Sequence, residues 1–254
     1  MTQLVAFHGK KEIKDTYLNR VLAHEKADEI IKGQYWQNGK GCAVGCTIHS
    51  NKHGAYETEL GIPEWLARLE DTIFEGCSNR RAKKFPVQFL EAIKVGSNLE
   101  PVRWKFALFL LDENIDRQKE NLKRVKKLKI TEELKKQIID AIQQYFKAAE
   151  FCRKYFKNPS AASAASAASA ASAASAASAA CAACAASAAW SAASAESAAS
   201  AASAASAESA ASAACAAWST AWSAERSAES AESAASAAYD RYADKLIKLL
   251  KEAN

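Results

Sequence analysis

Residues 160–238 follow a Ser-Ala-Ala repeat in which neither Gly nor Pro occurs. A period of three matches neither the roughly 3.6 residues of an α-helical turn nor the alternation of a β-strand. Ala is the strongest helix former and both residue types disfavour strands, so the repeat predicts helix. It favours α-helix, and long 3₁₀-helices, in which residues three apart eclipse, are the alternative.

The length of the repeat limits how it can be arranged. As a single α-helix it would be more than ~115 Å long. We therefore expect several antiparallel segments that form a helical bundle or array. The register of the repeat slips at Trp190 and Trp218, and these slips predict where the chain turns.

A change of composition at Asn158-Pro159 divides the chain. All nine Gly, all four Pro and all four His precede the repeat. The sequence predicts a helical domain over 1–158, an Ala/Ser-repeat helical region over 159–238 and a C-terminal amphipathic helix over 239–254. The repeat has a net charge of −4 and the closing segment a net charge of +1. Because the whole chain has a net charge of +5, the first 159 residues have a net charge of +8.

Helical spacing of apolar residues dominates the first domain, so the predicted fold class is all-α. At most a short extended piece is expected at 4–7. The expected helices run from Lys11 to Gly33, from Pro63 to Gly76, from Phe85-Pro86 to Gly96, from Pro101 to Glu113, through the basic stretch 116–129, and from the Thr131 cap onward. In the last of these, one apolar stripe is expected at Leu134, Ile138, Ile142, Tyr145, Ala149, Cys152 and Phe156.

Composition also excludes several classes of protein. The first residues show no signal-peptide pattern, and no apolar stretch is suited to crossing a membrane. Seven cysteines, an odd number without paired spacing, are typical of free thiols in a reducing cytoplasm. The basic stretch 116–129 has no interleaved aromatic residues, so no specific nucleic-acid motif is assigned. The charge asymmetry suits docking of the two regions on each other, an acidic partner or an ordinary solvated surface. A protein partner or self-association is expected.

The segment 34–62 concentrates glycines, cysteines and histidines and is the candidate chemical site. If the chain is helical from residue 42 onward, four potential zinc ligands lie on one helix face, namely Cys42, Cys46, His49 and His53. The first and last of them would lie roughly 16 Å apart, so not all four can bind one ion. Two or three would bind it, with His24, Glu57 or Glu59 completing the site. No residue is assigned to another cofactor.

The same segment also suits a thiol-dependent enzyme. A cysteine that follows a glycine-rich turn and begins a helix has a lowered pKa and is a potential nucleophile. Cys42 and Cys46 are the candidate catalytic thiols, and His49 or His24 is the candidate base. A purely structural interpretation stays open, in which glycines allow close packing and the cysteines are small buried residues.

The N-terminal segment resembles a group of bacterial and phage-associated proteins that have no known activity. The matching residues are Tyr35-Trp36, 39–49, His53, Tyr56-Glu57, 60–71, 73–76 and 244–251. The resemblance implies an Ala-rich triplet tract after the N-terminal segment, and it implies no chemistry.

Three functions follow from these patterns. The first is a structural or interaction protein built on a repetitive helical scaffold. The second is a thiol-dependent enzyme or metal-binding protein with its site between Cys42 and His53. The third, a minor one, is binding to ice or another ordered surface through flat Ala/Ser faces.

Overall fold

The computed structural model describes residues 4–157 and 228–254. Within these ranges the chain forms eight α-helices and one two-stranded antiparallel sheet, which confirms the all-α fold class. The elements in chain order are α1 (Lys11–Lys26), β1 (Trp36–Gln37), β2 (Lys40–Gly41), α2 (Ala43–Ile48), α3 (Ala55–Leu60), α4 (Glu64–Gly76), α5 (Asn79–Ala92), α6 (Glu100–Val125), α7 (Glu132–Lys157) and α8 (Ala228–Lys251). A helical turn at Ala6–Gly9 replaces the extended piece expected at 4–7.

Most of the Ala/Ser repeat, including both register slips, lies outside the described residues. Its last residues, 228–238, form the first part of α8 with α-helical geometry. The closing segment continues the same helix to Lys251. None of the described helices is both long and apolar enough to cross a membrane.

The chain divides into two compact units. Unit 1 contains Met1–Phe106 and Ser230–Asn254, and unit 2 contains Ala107–Glu229. The core of unit 1 is aromatic and aliphatic. Its largest fully buried side chains include Tyr56, Phe7, Phe74, Phe85, Phe89, Leu60 and Ile62.

The C-terminal helix α8 packs into unit 1 through apolar and polar contacts. Leu246 and Leu250 are fully buried. A Cβ atom on Gly76 would lie 2.2 Å from the Tyr239 ring, so a glycine is needed for α8 to approach the end of α4. Ser78, the N-cap of α5, donates from its backbone N–H and its hydroxyl to the Asp240 carboxylate at 3.0 and 2.8 Å.

Three expected helix boundaries in unit 1 are wrong, and one of them is the end of α5, which lies at Ala92 rather than at Gly96. Helix α1 ends at Lys26 rather than Gly33, because the chain leaves the helix through Asp28, which has a φ of 56°. Helix α5 begins after Ser78, whose hydroxyl accepts a hydrogen bond from the Arg81 N–H, and not at Phe85-Pro86. Pro86 lies inside α5 and is buried, so packing offsets the helical hydrogen bond that a proline cannot donate.

In unit 2, α7 matches its prediction closely. The Thr131 hydroxyl accepts a hydrogen bond from the Leu134 N–H at 3.3 Å, as an N-cap does. The stripe residues Ile138, Ile142, Tyr145 and Ala149 are buried, and they pack with Ile115 and Val125 of α6 in two apolar clusters. Leu134 is half-buried, and the side chains of Cys152 and Phe156 lie outside the described part of the structure. The apolar and basic helices expected between residues 101 and 129 form one continuous helix, α6, which ends at Val125 rather than at residue 129.

Candidate functional site

A tight hairpin and two glycines position the segment that was predicted as the chemical site. Strands β1 and β2 pair Trp36 with Gly41, and the turn residues Asn38 and Gly39 both have positive φ, as a type I′ turn requires. A Cβ atom on Gly41 would lie 2.0 Å from the Tyr35 carbonyl oxygen, and one on Gly45 only 1.4 Å from it. The backbone of residue 35 is therefore packed directly against α2.

Cys42 occupies the N-terminus of α2, as the nucleophile hypothesis expects. Its Sγ accepts a hydrogen bond from the Gly45 N–H at 3.5 Å. Burial, with a smaller effect of the Asp71 carboxylate, raises the pKa of the Cys42 thiol well above its usual range. At neutral pH the thiol is therefore protonated, whereas a nucleophile needs the thiolate.

Cys46 lies one turn further along α2 and faces the backbone. Its thiol is fully buried and donates to the Gly41 carbonyl at 3.3 Å. Burial raises the pKa of Cys46 to about 12. The described contacts of this thiol are structural.

Helix α2 is too short to carry all four predicted ligands on one face. It ends at Ile48, and the next residue, His49, has left-handed backbone angles with a φ of 52° and a ψ of 38°. The expectation that one helix continues from Cys42 to His53 is therefore wrong. The physical reason is the left-handed turn at His49, which sends the following residues in a new direction.

A different group of side chains meets Cys42. Among the described residues, one set of three brings potential metal ligands together: the Cys42 Sγ and carboxylate oxygens of Asp71 and Glu75 all lie within 4.8 Å of one another. Asp71 and Glu75 are four residues apart on α4, so they project from the same face of that helix. Both oxygens of Glu75 also accept from the Gly33 N–H, at 3.0 and 3.1 Å.

His53 borders this group. Its Nε2 lies 3.4 Å from Oδ2 of Asp71, and the imidazole is largely buried. The Tyr35 ring packs edge-on against it, with centroids 5.7 Å apart. The other oxygen of Asp71, Oδ1, is buried and has no hydrogen-bond partner among the described residues. An orphaned carboxylate oxygen inside a set of ligands suits a site for a cation.

The remaining predicted residue, His49, belongs to a second cluster. His24 Nδ1 lies 2.7 Å from Oε2 of Glu29, and His24 Nε2 lies 2.9 Å from Nε2 of His49. The Trp36 ring stacks on His49, with centroids 4.2 Å apart and an interplanar angle of 12°. Desolvation, followed by the nearby Arg20 guanidinium and His24, lowers the pKa of His49.

The structure thus divides the predicted residues among three environments. Cys42 and His53 lie beside Asp71, Cys46 faces the backbone, and His49 pairs with His24. The two glutamates suggested as further ligands bind elsewhere. Glu57 accepts from the Glu64 N–H, and Glu59 accepts from the Tyr17 hydroxyl.

The sequence interpretation missed Asp71, Glu75, Glu29 and the hairpin. The hairpin had a usable signal, because Asn-Gly is a strong mark of a two-residue type I′ turn. The two carboxylates of α4 had only their four-residue spacing, which is common on solvent-exposed helix faces. Their proximity to Cys42 is a tertiary contact that no local pattern encodes.

Comparison with protein-family models, with curated proteins and with solved structures finds no match to this chain. The chemistry of the two clusters therefore has to be inferred from their geometry.

Proposed function

We propose that unit 1 binds one divalent transition-metal ion through Cys42, Asp71 and Glu75. The observation that carries the proposal is the convergence of their three ligand atoms within 4.8 Å. Ligand atoms around a tetrahedral zinc ion lie about 3.6 Å apart, given zinc–ligand distances of about 2.0–2.3 Å. Small side-chain movements would therefore close these three atoms around one ion.

The kinds of ligand favour a metal of borderline softness. One thiolate and two carboxylates suit zinc, iron or cobalt, whereas magnesium and calcium prefer oxygen ligands alone. The buried Cys42 thiol, whose pKa is raised without a metal, would bind as the thiolate once an ion is present. His53 orients Asp71 from outside the set of ligands, as metal-bound carboxylates commonly require.

Metal titration of the purified full-length chain tests this function. We expect one zinc or cobalt(II) ion per chain, and a near-ultraviolet charge-transfer band from cobalt bound to the Cys42 thiolate. Changes outside a ligand set weaken metal binding by about 10–100-fold. Glu75→Gln removes a ligand but keeps an acceptor for the Gly33 N–H, so it should weaken metal binding by more than that. Cys42→Ser should abolish the charge-transfer band.

Two other cysteines provide matched controls. Cys46 and Cys77 are free and buried like Cys42, but neither belongs to the set of three ligands. Cys46→Ser and Cys77→Ser should retain both the stoichiometry and the cobalt band. Binding that is unchanged in Glu75→Gln and in Asp71→Asn, with both variants folded by circular dichroism, would disprove the site.

We also infer a scaffold role for the Ala/Ser repeat, with a protein partner or a second copy of the chain as its ligand in the cytoplasm. The supporting observation is that α8 begins within the repeat and ends with Leu246 and Leu250 buried in unit 1. The described end of the repeat, 228–238, is therefore continuous with a helix that packs into unit 1. Sedimentation of the full chain at increasing concentration should show self-association, and a monomer throughout would leave only a separate partner.

A further inference from the structure

Two imidazole nitrogens face each other in the second cluster, which shares no residue with the set of Cys42, Asp71 and Glu75. Nε2 of His24 lies 2.9 Å from Nε2 of His49, and Nδ1 of His24 lies 2.7 Å from Oε2 of Glu29. An ionised carboxylate can only accept hydrogen bonds, so Nδ1 of His24 carries the proton shared with Glu29. In the neutral imidazole Nε2 of His24 therefore presents a lone pair towards His49.

His24 is held in the way that metal-binding histidines are held. A histidine that binds a metal through one ring nitrogen commonly donates its other N–H to a carboxylate, which fixes the tautomer and the orientation of the ring. The His24 and Glu29 side chains are 12% and 31% exposed, so their contact is partly shielded from water. The contact with Glu29 leaves Nε2 of His24 as the atom that would bind an ion.

The distance between the two Nε2 atoms indicates a coordination geometry. Nitrogen ligands lie about 2.0–2.1 Å from a zinc ion, so two of them are about 3.4 Å apart at a tetrahedral angle and about 2.9 Å apart at a right angle. The observed distance of 2.9 Å matches the right angle. Ligands at right angles are typical of the square-planar or tetragonal sites of copper(II) and nickel(II).

His49 is oriented and neutral, as a ligand has to be. The Trp36 ring stacks on its imidazole and fixes the plane of the ring. Desolvation, followed by Arg20 and His24, lowers the pKa of His49, so the ring is uncharged at neutral pH. His49 is also exposed, so water can reach an ion bound to it. Its left-handed backbone costs free energy, and such strain is concentrated at functional sites.

The charges around the pair restrict the kind of ion further. Glu29 contributes a negative charge beside His24, whereas the Arg20 guanidinium, which donates to the Thr47 carbonyl at 2.8 Å, repels a cation near His49. Magnesium and calcium, which need several oxygen ligands, are therefore disfavoured. Copper(II) and nickel(II) bind imidazole more tightly than the earlier divalent ions of the first transition row do.

We propose that His24 and His49 bind one copper(II) or nickel(II) ion through their Nε2 atoms, with water as the remaining ligands and Glu29 as a positioning residue. In the metal-free chain Nε2 of His49 donates its proton to Nε2 of His24. When the ion binds, His49 carries this proton on Nδ1 instead. Both rings remain neutral, and no net proton is released.

Nickel(II) titration of the full-length Cys42→Ser variant tests the pair by calorimetry. Nickel(II) does not oxidise thiols, and the substitution removes the thiolate of the other proposed site while serine retains an N-cap for α2. We expect one nickel ion per chain. In this background His24→Gln and His49→Asn should each weaken nickel binding by more than about 100-fold, whereas Glu29→Gln should weaken it by about 10–100-fold. Asn tolerates the left-handed backbone at residue 49.

His8→Asn is the matched control, because His8 is also exposed and also has a positive φ. It should retain nickel binding, and a loss as large as that of His49→Asn would overturn the site. In the wild-type chain, whose fold does not depend on any substitution, nickel(II) should broaden the NMR ring signals of His24 and His49. Unchanged ring signals, or nickel binding that persists in folded His24→Gln and His49→Asn variants, would also overturn the proposal.

Discussion

The α2 region of unit 1 and the α6–α7 pair of unit 2 are both helical, yet different contacts stabilise them. In unit 1, backbone packs on backbone at Gly45, and polar groups such as Tyr56 and Glu70 are fully buried. In unit 2, α6 and α7 meet through aliphatic side chains such as Ile142 and through an ion pair between Arg153 and Asp112. The comparison shows that a helix can be positioned by close backbone approach at a glycine as well as by side-chain packing.

The strongest test of this contrast is Gly45→Ala. Its new methyl carbon would lie 1.4 Å from the Tyr35 carbonyl oxygen, and a backbone atom cannot move aside as a side chain can. We expect a loss of about 4 kcal/mol or more in the local stability of unit 1, above the usual cost of overpacking. Hydrogen exchange of the α2 and hairpin amides measures it.

Gly54→Ala is the matched control for that substitution. A Cβ atom there meets only the Glu64 carboxylate oxygen at 3.5 Å, and the residue has a φ of −61°. The exchange rates of this variant should remain close to those of the wild type. Equal protection in Gly45→Ala and Gly54→Ala would show that α2 does not depend on the close approach of residue 35.

The next largest effect is expected at the buried polar pair. The Tyr56 hydroxyl donates to Oε2 of Glu70 at 2.8 Å, and Oε1 of Glu70 has no partner among the described residues. Tyr56→Phe removes the hydroxyl that donates to Oε2, so the buried Glu70 carboxyl group loses this hydrogen bond. We expect unit 1 to lose about 2 kcal/mol, within the range for an unsatisfied buried group.

A double-mutant cycle with Glu70→Leu isolates this interaction, and Glu70→Gln is its control. The amide keeps an acceptor for the tyrosine hydroxyl, so the effect of Tyr56→Phe should persist in the Glu70→Gln background. Additive effects of Tyr56→Phe and Glu70→Leu, by contrast, would argue that the hydrogen bond contributes nothing to stability.

The same contrast explains what could be predicted from sequence. Helix α7 was predicted with its cap at Thr131 and its buried stripe, because both signals are local and periodic. Of the candidate site, Cys42 was predicted, whereas Asp71 and Glu75 were not. Cys42 meets Asp71 about thirty residues further on, and His49 meets His24 twenty-five residues earlier, through contacts that have no local period.

A smaller effect is expected in unit 2. Ile142→Val removes one methyl group from the cluster that also contains Val125 and Ile138. We expect a cost of about 1 kcal/mol, because neighbouring side chains relax around the space. Protection of the α7 amides should fall accordingly, and Lys136→Ala on the exposed side of the same helix should leave it unchanged. A loss as large as that of Gly45→Ala would contradict the contrast between the two units.

The last effect concerns pH and is confined to alkaline solution, and it separates the buried thiols of unit 1 from the aliphatic contacts of unit 2, which do not titrate. Burial raises the pKa of Cys46 from 9.0 to about 12. Between these values the folded chain keeps a proton that the unfolded chain releases, so stability falls as pH rises through this window. Below pH 9 both states are protonated and the contribution of the thiol to stability is constant.

Cys46→Ala should therefore flatten the decrease in urea midpoint above pH 9. Burial also raises the pKa of the Cys77 thiol to about 12, so Cys77→Ala should flatten the decrease similarly. Equal slopes in the wild type and both variants would mean that these thiols ionise in the folded protein as easily as in the unfolded chain.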